Sequence, residues 1–541
     1  MKTKGNNYYL LRALPALILL ILLFVLPLSQ IFIKAFANNA EALLDVFSDR
    51  YTYKLLAFTL FEAIISATIS LLVALPFAAF FSNYTFFGRK AVLTISELSF
   101  TLPSILVVLS FVIWYGNSGL LNTYLMNIFS LKEPPLKILY SFKAIIFSHV
   151  YLNFPIAFAL ITEAWSSLSD REEISSYMMG KGKMKTFFSI TLPKIKGSVI
   201  ASWILIFLFC FSSFSIVLVL GGKPRFYTLE AEIYKRTYTD LNQASSAALS
   251  LFTFLTTAVI LALTSGGRRE KKITRRKREL KKSRGRNLAL AIFLVLLIFI
   301  FLLPPLLSIV YRAFFTKDGT FTLKAWFDMN SRHGLISSSR IAIINSLFIA
   351  LLTAGLSTML AVRIALYSSK TNSSWLSLLS SLPMATGSVT LGLGFSFVSA
   401  RIAENNIYVS YLLVLLSHLV ITLPFAVRTI TPGAKKIPQT LAYSSYMLGA
   451  SNRKTIRKVE NPLLRGYMRK AFAFSFALSL GEVNATLTLA EGKVVTLPVL
   501  LYRMIDSYNY QGAAALGSVL LLVALAVFAL GEIRGNENGI S

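Results

Sequence analysis

The sequence is poor in the residues from which catalytic and metal sites are usually built. Its 541 residues include three histidines, one cysteine and only 24 aspartates and glutamates. The single cysteine, Cys210, excludes an intramolecular disulfide, and its apolar surroundings are typical of a small buried side chain. None of His149, His333 and His418 has a second ligand at metal-binding spacing, so no metal site is predicted. His149 and His418 are interpreted as packing or hydrogen-bonding groups.

Motifs for nucleotide binding and ion coupling are missing as well. The chain has no G-x-x-x-x-G-K-[ST] phosphate loop, so it lacks the usual backbone cradle for ATP. We therefore expect neither catalysis by this chain nor a cofactor bound to it. Carboxylates in the apolar runs are unpaired, with Glu62, Glu163 and Glu482 scattered among them. Coupling to protons or sodium usually needs intramembrane acids, so the lack of paired acids counts against a stand-alone secondary transporter. A structural scaffold is favoured less still.

Hydrophobic residues make up 55% of the chain and charged residues only 14%, which predicts an all-α integral membrane protein. A span needs roughly 20 apolar residues, and on that basis the chain has about twelve, six in each half. The run at 10–36 is too long for a signal peptide and has no small-residue cleavage site, so it is predicted to remain as a span. The predicted spans are 11–35, 55–81, 92–115, 138–164, 198–221, 244–265, 287–314, 340–367, 375–400, 407–430, 469–490 and 512–533.

A basic segment at 266–286 divides the two sets of spans, and it carries twelve Lys and Arg against two Glu. The net charge of +30 is compatible with nucleic-acid binding, but a basic run flanked by apolar spans is better explained by the positive-inside rule. We predict a cytoplasmic linker between two halves, 1–265 and 287–541, and no nucleic-acid partner. Six spans in each half then place both termini in the cytoplasm of a bacterial inner-membrane protein.

A polar, basic loop occurs once in each half, at 170–197 and at 439–466, with an offset of 269 positions between the copies. An even count of spans per half gives the copies the same orientation, so a two-fold axis along the membrane normal should relate them. A route between the two halves is the natural architecture. The residues identical in the two copies are Ser175, Ser176, Tyr177, Met178, Gly180, Pro193 and Gly197, which match Ser444, Ser445, Tyr446, Met447, Gly449, Pro462 and Gly466.

Each loop has the pattern of a docking helix. In the first copy, Ile174, Tyr177 and Met178 form one apolar stripe over 171–179, and Gly180 is placed to end the helix. A second helical stretch is predicted to stop at Pro193. A short amphipathic helix suits a groove on a partner, although an interfacial helix on lipid headgroups is the alternative. Duplication within one chain favours docking.

These loops resemble the cytoplasmic signature of permease subunits of type I binding-protein-dependent ABC importers, E-A-A-x-x-x-G-x9-I-x-L-P. The glycine and the isoleucine-to-proline spacing are kept in the first copy, and the second has Asn461 where leucine is expected. Serine pairs replace the alanine pair, and Ala442 leaves the second copy without an acid. The predicted ATPase-coupling residues are Glu173, Ser175, Ser176, Gly180, Ile190, Pro193, Ser444, Ser445, Gly449, Val459 and Pro462.

The resemblance implies the MetI-like permease fold, with two parallel six-helix halves and the loop helices seated on a separate subunit. The implied partners are two copies of an ABC ATPase, which hold ATP and Mg²⁺, an extracytoplasmic solute-binding protein, and the lipid bilayer. Most relatives use two permease chains, whereas this chain resembles the fused subgroup in which one chain supplies both halves. The loops at 170–197 and 439–466 are therefore called the first and second coupling loops.

The cargo is suggested only by resemblance. The fused subgroup includes permeases for thiamine and for iron(III), and the blocks at 149–160, 209–224 and 480–502 resemble the thiamine permeases more. A bare ferric ion would find no clustered hard ligands in the spans, so thiamine or a phosphorylated form is predicted ahead of iron(III) or another small solute. Aromatic residues after the loops are candidates for the solute path, with packing in the core or against lipid as the alternative. The candidate path residues are Phe211, Phe214, Phe476 and Glu482.

Overall fold

The computed structural model describes residues 2–37, 40–98, 102–222, 225–265, 278–327, 339–371, 380, 382–402, 406–489 and 494–533. These residues are almost wholly helical, as an apolar chain without water must be to satisfy its backbone hydrogen bonds. The strands among them are one short parallel pair, β1 (Tyr84–Thr85) with β2 (Lys281–Lys282). His333 and the linker residues 266–277 lie outside the described residues.

Most long helices of the first half begin and end close to the predicted spans. The third predicted span, 92–115, is instead divided between a helix that ends at Leu98 and one that begins at Ser104, and the candidate span there is Ser104–Phe129. The fifth predicted span, 198–221, is built from two helices separated by a short turn. The helices of this half are α1 (Lys2–Ala35), α2 (Glu41–Ser48), α3 (Arg50–Phe81), α4 (Arg89–Leu98), α5 (Ser104–Tyr115), α6 (Leu120–Phe129), α7 (Phe142–Ser166), α8 (Arg171–Met178), α9 (Lys183–Thr186), α10 (Leu192–Phe211), α11 (Ser215–Leu220), α12 (Leu229–Tyr238) and α13 (Gln243–Ser265).

The second half repeats this arrangement, and its eleventh predicted span, 469–490, is interrupted in the same way. A 3-10 turn, Leu382–Ala385, precedes its third long helix. The helices are α14 (Arg286–Phe314), α15 (Lys324–Phe327), α16 (Ser339–Thr371), α17 (Ser388–Ile402), α18 (Ile407–Lys436), α19 (Gln439–Met447), α20 (Asn452–Thr455), α21 (Asn461–Leu480), α22 (Asn484–Leu489), α23 (Leu497–Asp506) and α24 (Tyr510–Ile533).

Within the described residues, 10 helices are long and apolar enough to cross a membrane. They correspond to ten of the twelve predicted spans. The remaining two are the shorter apolar helix α17 and the interrupted α21 with α22, so the predicted fold class is confirmed. Large apolar side chains such as Leu72, Ile300 and Ile344 are exposed on the outside of the bundle, as expected for surfaces in contact with lipid.

The second part of each coupling loop and the long helix that follows it have the same helix boundaries in both halves. In both halves a four-residue helix runs into a π-helical turn, Phe187–Thr191 or Ile456–Glu460, and then directly into a long helix. Every one of these boundaries is displaced by the offset found in the sequence. The internal repeat is therefore structural, with one copy of the same joint in each half.

The first helix of each half packs against the other half. Helix α1 contacts α16, α17 and α18, and α14 contacts α5. The Tyr151 hydroxyl of α7 also donates a hydrogen bond to the Leu302 carbonyl of α14, at 2.5 Å. The halves are thus interlocked by helix packing across their boundary, independently of the linker.

This interlocking leads to a test of the linker. A chain cut after Gly285 should still yield two halves that co-purify and transport together, because the α1 and α14 contacts remain. The cut leaves residues 278–285 on the first half, where they dock. Affinity purification through a tag on the second half, followed by an uptake assay, measures the outcome. Halves that insert but do not co-purify would show that the covalent linker, and not helix packing, holds them together.

The end of the linker is docked on the loop that follows α3. Strand β2 pairs with β1 in register Tyr84 with Lys281, and the Ser283 amide donates to the Thr85 carbonyl at 2.9 Å. The Arg278 amide donates to the Ser166 carbonyl at 3.2 Å. The described part of the linker is therefore fixed to the first half next to the first coupling loop, which the prediction of a cytoplasmic linker did not include.

Candidate functional site

The helix of each coupling loop ends in the same glycine cap. The Gly180 amide donates to the Tyr177 carbonyl at 2.9 Å, and the next amide donates to the Ser176 carbonyl at 3.1 Å. Gly180 and Gly449 both have φ of 77°, the left-handed conformation that a Schellman cap requires. A Cβ at either position would meet nothing within 4 Å, so backbone conformation, and not crowding within this chain, favours glycine there.

A hydroxyl pair fixes the docking helix to the helix that follows it. Ser176 and Thr186 are 2.9 Å apart between side-chain oxygens, and Ser445 and Thr455 are 2.8 Å apart. The second serine of each predicted pair therefore faces inward, whereas Ser175 and Ser444 are exposed. Sequence reasoning missed both threonines, although their identity at the same offset was an available signal.

The apolar stripe of each docking helix faces solvent. Met178 and Met447 are 85% and 86% exposed, and Met179 and Leu448 beside them are 69% and 87% exposed. Ile174 and Tyr177 are also exposed. A contiguous apolar surface at the tip of a polar loop is a mark of an interaction site. The high exposure of Met178 and Met447, and of Met179 and Leu448, gives the two halves similar exposed apolar tips.

The predicted stop at Pro193 is wrong. Pro193 lies in the first turn of α10, and the helix runs from α9 through the π-helical turn without a break. The π-turn shifts the backbone hydrogen bonds by one residue, and Pro193, which has no N–H to donate, follows directly on this shift. Ile190 and Val459 lie half-buried within the π-turns, and Pro462 repeats the position of Pro193.

Glu173 faces inward and holds the linker. Its carboxylate forms an ion pair with Arg278, whose side chain is 2% exposed. The Thr191 hydroxyl donates to the Glu173 Oε1 at 2.6 Å, and Arg278 also donates to the Asn83 side chain at 2.8 Å. The structure thus places this predicted coupling residue at the root of the first coupling loop, in contact with the linker.

The root of the second coupling loop is anchored by different residues. Glu460 occupies the position of Thr191 and is fully buried. It pairs with Lys370 of α16 at 2.9 Å and accepts a hydrogen bond from the Tyr9 hydroxyl of α1 at 2.9 Å. With Ala442 in the position of Glu173, the acid has moved from the docking helix to the π-turn. Both roots carry a buried ion pair, but the cation comes from the linker in one half and from α16 in the other.

The two halves meet at the breaks in their fifth spans, which lie at 212–214 and 481–483. The Ser215 hydroxyl donates to the Asn484 side-chain oxygen at 2.7 Å. These two residues are equivalent in the repeat, so their contact marks the axis that relates the halves. Interrupted helices at a repeat interface are a common construction for solute sites in transporters.

The candidate path residues are packed at this junction. Phe211 and Phe214 are both 1% exposed, and Phe476 is buried as well. Phe214 packs edge-on against Tyr234, with ring centroids 5.1 Å apart. These rings therefore form part of the core in this structure, as in the alternative interpretation. Glu482 accepts a hydrogen bond from the Ala485 amide at 3.0 Å and so caps the start of α22.

Glu230 is a buried acid that sequence reasoning missed, because it falls between the predicted spans 198–221 and 244–265. It lies on α12, outside the ten candidate spans, and is 1% exposed. The Thr390 hydroxyl of the other half donates to its Oε1 at 3.3 Å, and Gly387 leaves the space that its carboxylate fills. Burial raises the pKa of Glu230 to about 7, with the nearby Glu482 as a smaller cause in the same direction, while hydrogen bonding from Thr390 and Val389 opposes the rise.

The paired histidines join their helix to the adjacent break. His149 is 2.5 Å from the Glu62 carboxylate and 2.8 Å from the Ser213 hydroxyl. His418 lies 2.8 Å from the hydroxyls of both Ser479 and Thr486. This agrees with their interpretation as hydrogen-bonding groups.

The first-half histidine also belongs to a possible ligand group. Glu62, His149 and Cys210 are buried, and their ligand atoms lie within 4.8 Å of one another. The wide separation of these residues along the sequence concealed the grouping. The direct hydrogen bond between His149 and Glu62 gives both groups a partner within the protein.

Comparison with known proteins also finds permeases of binding-protein-dependent transport systems. Residues 66–266 match the family described as binding-protein-dependent transport system inner membrane component. The thiamine transport system permease protein of Brucella abortus (strain 2308) is 27% identical over 90% of this chain and 88% of its own length. That of Haemophilus influenzae is 26% identical over 89% of each chain. The ferric transport system permease protein of Actinobacillus pleuropneumoniae is 24% identical over 97% of this chain and 78% of its own length.

These similarities extend over both halves and confirm the resemblance predicted from the coupling loops. Residues 66–266 are similar to the inner-membrane component of binding-protein-dependent transport systems, and about nine-tenths of the chain is similar to thiamine transport permeases. Its apolar helices and its similarity to these permeases make it a multi-pass inner-membrane protein.

Proposed function

We propose that this chain forms the membrane path of an ATP-driven importer for thiamine or one of its phosphorylated forms. The observation that carries the proposal is the duplicated docking helix, with the same cap, the same hydroxyl pair and the same exposed apolar tip in both halves. Similarity to thiamine permeases over about nine-tenths of the chain supports the choice of cargo.

In this proposal the energy comes from a partner. Two copies of an ABC ATPase, which bind ATP and Mg²⁺, receive α8 and α19, and an extracytoplasmic binding protein delivers the solute. This chain contributes no catalytic residue and holds no cofactor. The basic residues of the coupling loops and the linker support a cytoplasmic location for both, and for both termini.

Iron(III) is the second candidate cargo, and the match to a ferric permease over 97% of this chain supports it. A stand-alone secondary transporter is the alternative class. The exposed, duplicated docking helices count against that class, since a carrier driven by an ion gradient has no use for a pair of partner surfaces.

Uptake into proteoliposomes tests the proposal. The chain, reconstituted with its ATPase and binding protein, should import radiolabelled thiamine only when ATP is inside with the ATPase. A hundredfold excess of ferric citrate should leave this uptake unchanged, and isothermal titration should give micromolar or tighter thiamine binding to the binding protein. Binding of iron without a heat of thiamine binding would show that the cargo is iron(III) and not thiamine. Uptake by the chain alone would show that it is a secondary transporter and not an importer subunit.

A further inference from the structure

The junction between the halves brings polar groups from three elements together. The Asn484 side chain accepts from Ser215 at 2.7 Å and donates to the Ser388 hydroxyl at 2.8 Å. Ser215 follows the break in one half and Asn484 the break in the other. Because the two residues are related by the repeat, a solute route along the axis between the halves would pass this point.

Two acids from opposite halves flank the junction, the buried Glu230 and the half-buried Glu482. Glu230 of the first half lies against the N-terminal turn of α17, and Glu482 of the second half interacts with Ser388 in that same turn. The two carboxyl groups are close enough for the charge of Glu482 to raise the pKa of Glu230. Among the residues that the structure describes, neither acid has a lysine or arginine in an ion pair.

One carboxylate oxygen has no partner at all. Oε2 of Glu230 is fully buried and makes no hydrogen bond within the described part of the chain. A buried polar atom left unpaired usually costs about 1–3 kcal/mol, so such an atom calls for an explanation. Gly387 leaves room for this carboxylate, since a Cβ there would overlap it.

Capping of α17 alone does not explain the pair. A helix N-terminus carries roughly half a positive charge, which one carboxylate already exceeds. The first acid is bonded through Thr390, and the second already caps α22 through the Ala485 amide. The helix ends at the junction therefore supply hydrogen bonds to both acids, but within the described part of the chain neither carboxyl group has a basic partner.

We infer that Glu230 and Glu482 form a recognition point for a positively charged organic solute where it crosses between the two halves. The inference rests on the proposed function and deepens it, because thiamine carries a permanent thiazolium cation. The free oxygen of Glu230 faces the cation, and the hydroxyls of Ser215 and Ser388 with the Asn484 amide offer hydrogen bonds to its polar groups. Opening of the halves exposes the site.

The first experiment measures uptake and ATP hydrolysis in the reconstituted complex. Glu230→Gln and Glu482→Gln should each lower thiamine uptake at least tenfold, while ATP hydrolysis stimulated by the loaded binding protein stays within twofold. Glu230→Asp, which keeps the charge, should recover uptake to within about threefold of the unsubstituted protein. Glu163→Gln removes an exposed acid elsewhere and should change neither quantity. Equal loss of uptake and hydrolysis would indicate a purely structural role, and unchanged uptake would refute the site.

A labelling experiment separates failure of the site from failure of the proposed cargo. Dicyclohexylcarbodiimide, which reacts with buried carboxyls, should modify Glu230, and thiamine or N-methylthiazolium should protect it while neutral thiochrome should not. Peptide mass spectrometry reads the modification. If the complex imports no thiamine but N-methylthiazolium still protects, the cargo is wrong and the cation site stands. Labelling that is equal with and without cations, or protection by thiochrome, would overturn the site.

Discussion

Replacement of Lys370 by methionine should destabilise the protein by about 3–5 kcal/mol, the usual cost of breaking a buried ion pair. Lys370 pairs with Glu460 at 2.9 Å, and Glu460 has no exposed surface. Without the lysine, the carboxylate stays buried with only the Tyr9 hydroxyl at 2.9 Å as a partner. Methionine keeps the length and the apolar stem of the side chain, so the change isolates the lost charge.

The single cysteine makes this measurable. Cys210 is buried and free, so a thiol-reactive fluorophore reports unfolding in detergent without any added label site. The double variant Lys370→Met with Glu460→Met should recover most of the stability, because no charge is then left unpaired. Lys317→Met, at an exposed position, controls for loss of a lysine as such. A single variant as stable as the unsubstituted protein would show that water reaches Glu460.

The coupling loops could be predicted because their signals are local and occur twice. The glycine at each helix end, the apolar stripe and the spacing to the proline all act within one or two helical turns. Because the same residues recur at a constant offset of 269 positions, the match of each loop to the signature is unlike a chance match. The left-handed conformation of Gly180 and Gly449 is the same in both copies, as a shared local cause requires.

The anchors of those loops could not be predicted, because their partners are distant in sequence. Glu173 meets Arg278 across 105 residues, and Tyr9 meets Glu460 across 451. Such pairs exist only after the linker has docked and α1 has crossed to the other half. The acid is Glu173 of the docking helix in the first half and Glu460 of the π-turn in the second. Aligning the two copies of the repeat therefore does not show that both contain a buried ion pair.

The solute path was harder still. Aromatic residues in an apolar helix are equally compatible with a packed core, a lipid-facing surface or the lining of a solute path. Phe211 and Phe214 are buried in the core. Glu230 gave no signal, because an acid in a short polar segment is normally solvated. Its burial depends on Gly387 and Thr390, which come from the opposite half.

The largest functional effect should come from Gly180→Gln combined with Gly449→Gln, which should abolish transport and weaken ATPase binding at least about tenfold, roughly 1.4 kcal/mol. Both glycines lie beside exposed methionines at the tips of the docking helices, where a long side chain would project into the partner. Nothing in this chain lies within 4 Å of the added Cβ, so the bundle itself has room for it.

Backbone strain is the competing explanation for such a loss, and the chain contains a matched control. Gly319 has the same φ of 77° and the same open surroundings, but it lies in the turn after α14, away from both coupling loops. A left-handed conformation costs a residue with a Cβ about 1–2 kcal/mol wherever it occurs. Gly319→Gln should therefore lower thermal stability by as much as Gly180→Gln while ATPase co-purification and uptake stay normal. If the Gly180 and Gly449 variants also retain the ATPase and transport at the normal rate, the docking assignment is wrong. If the Gly319 variant loses transport equally, strain and not docking explains the effect.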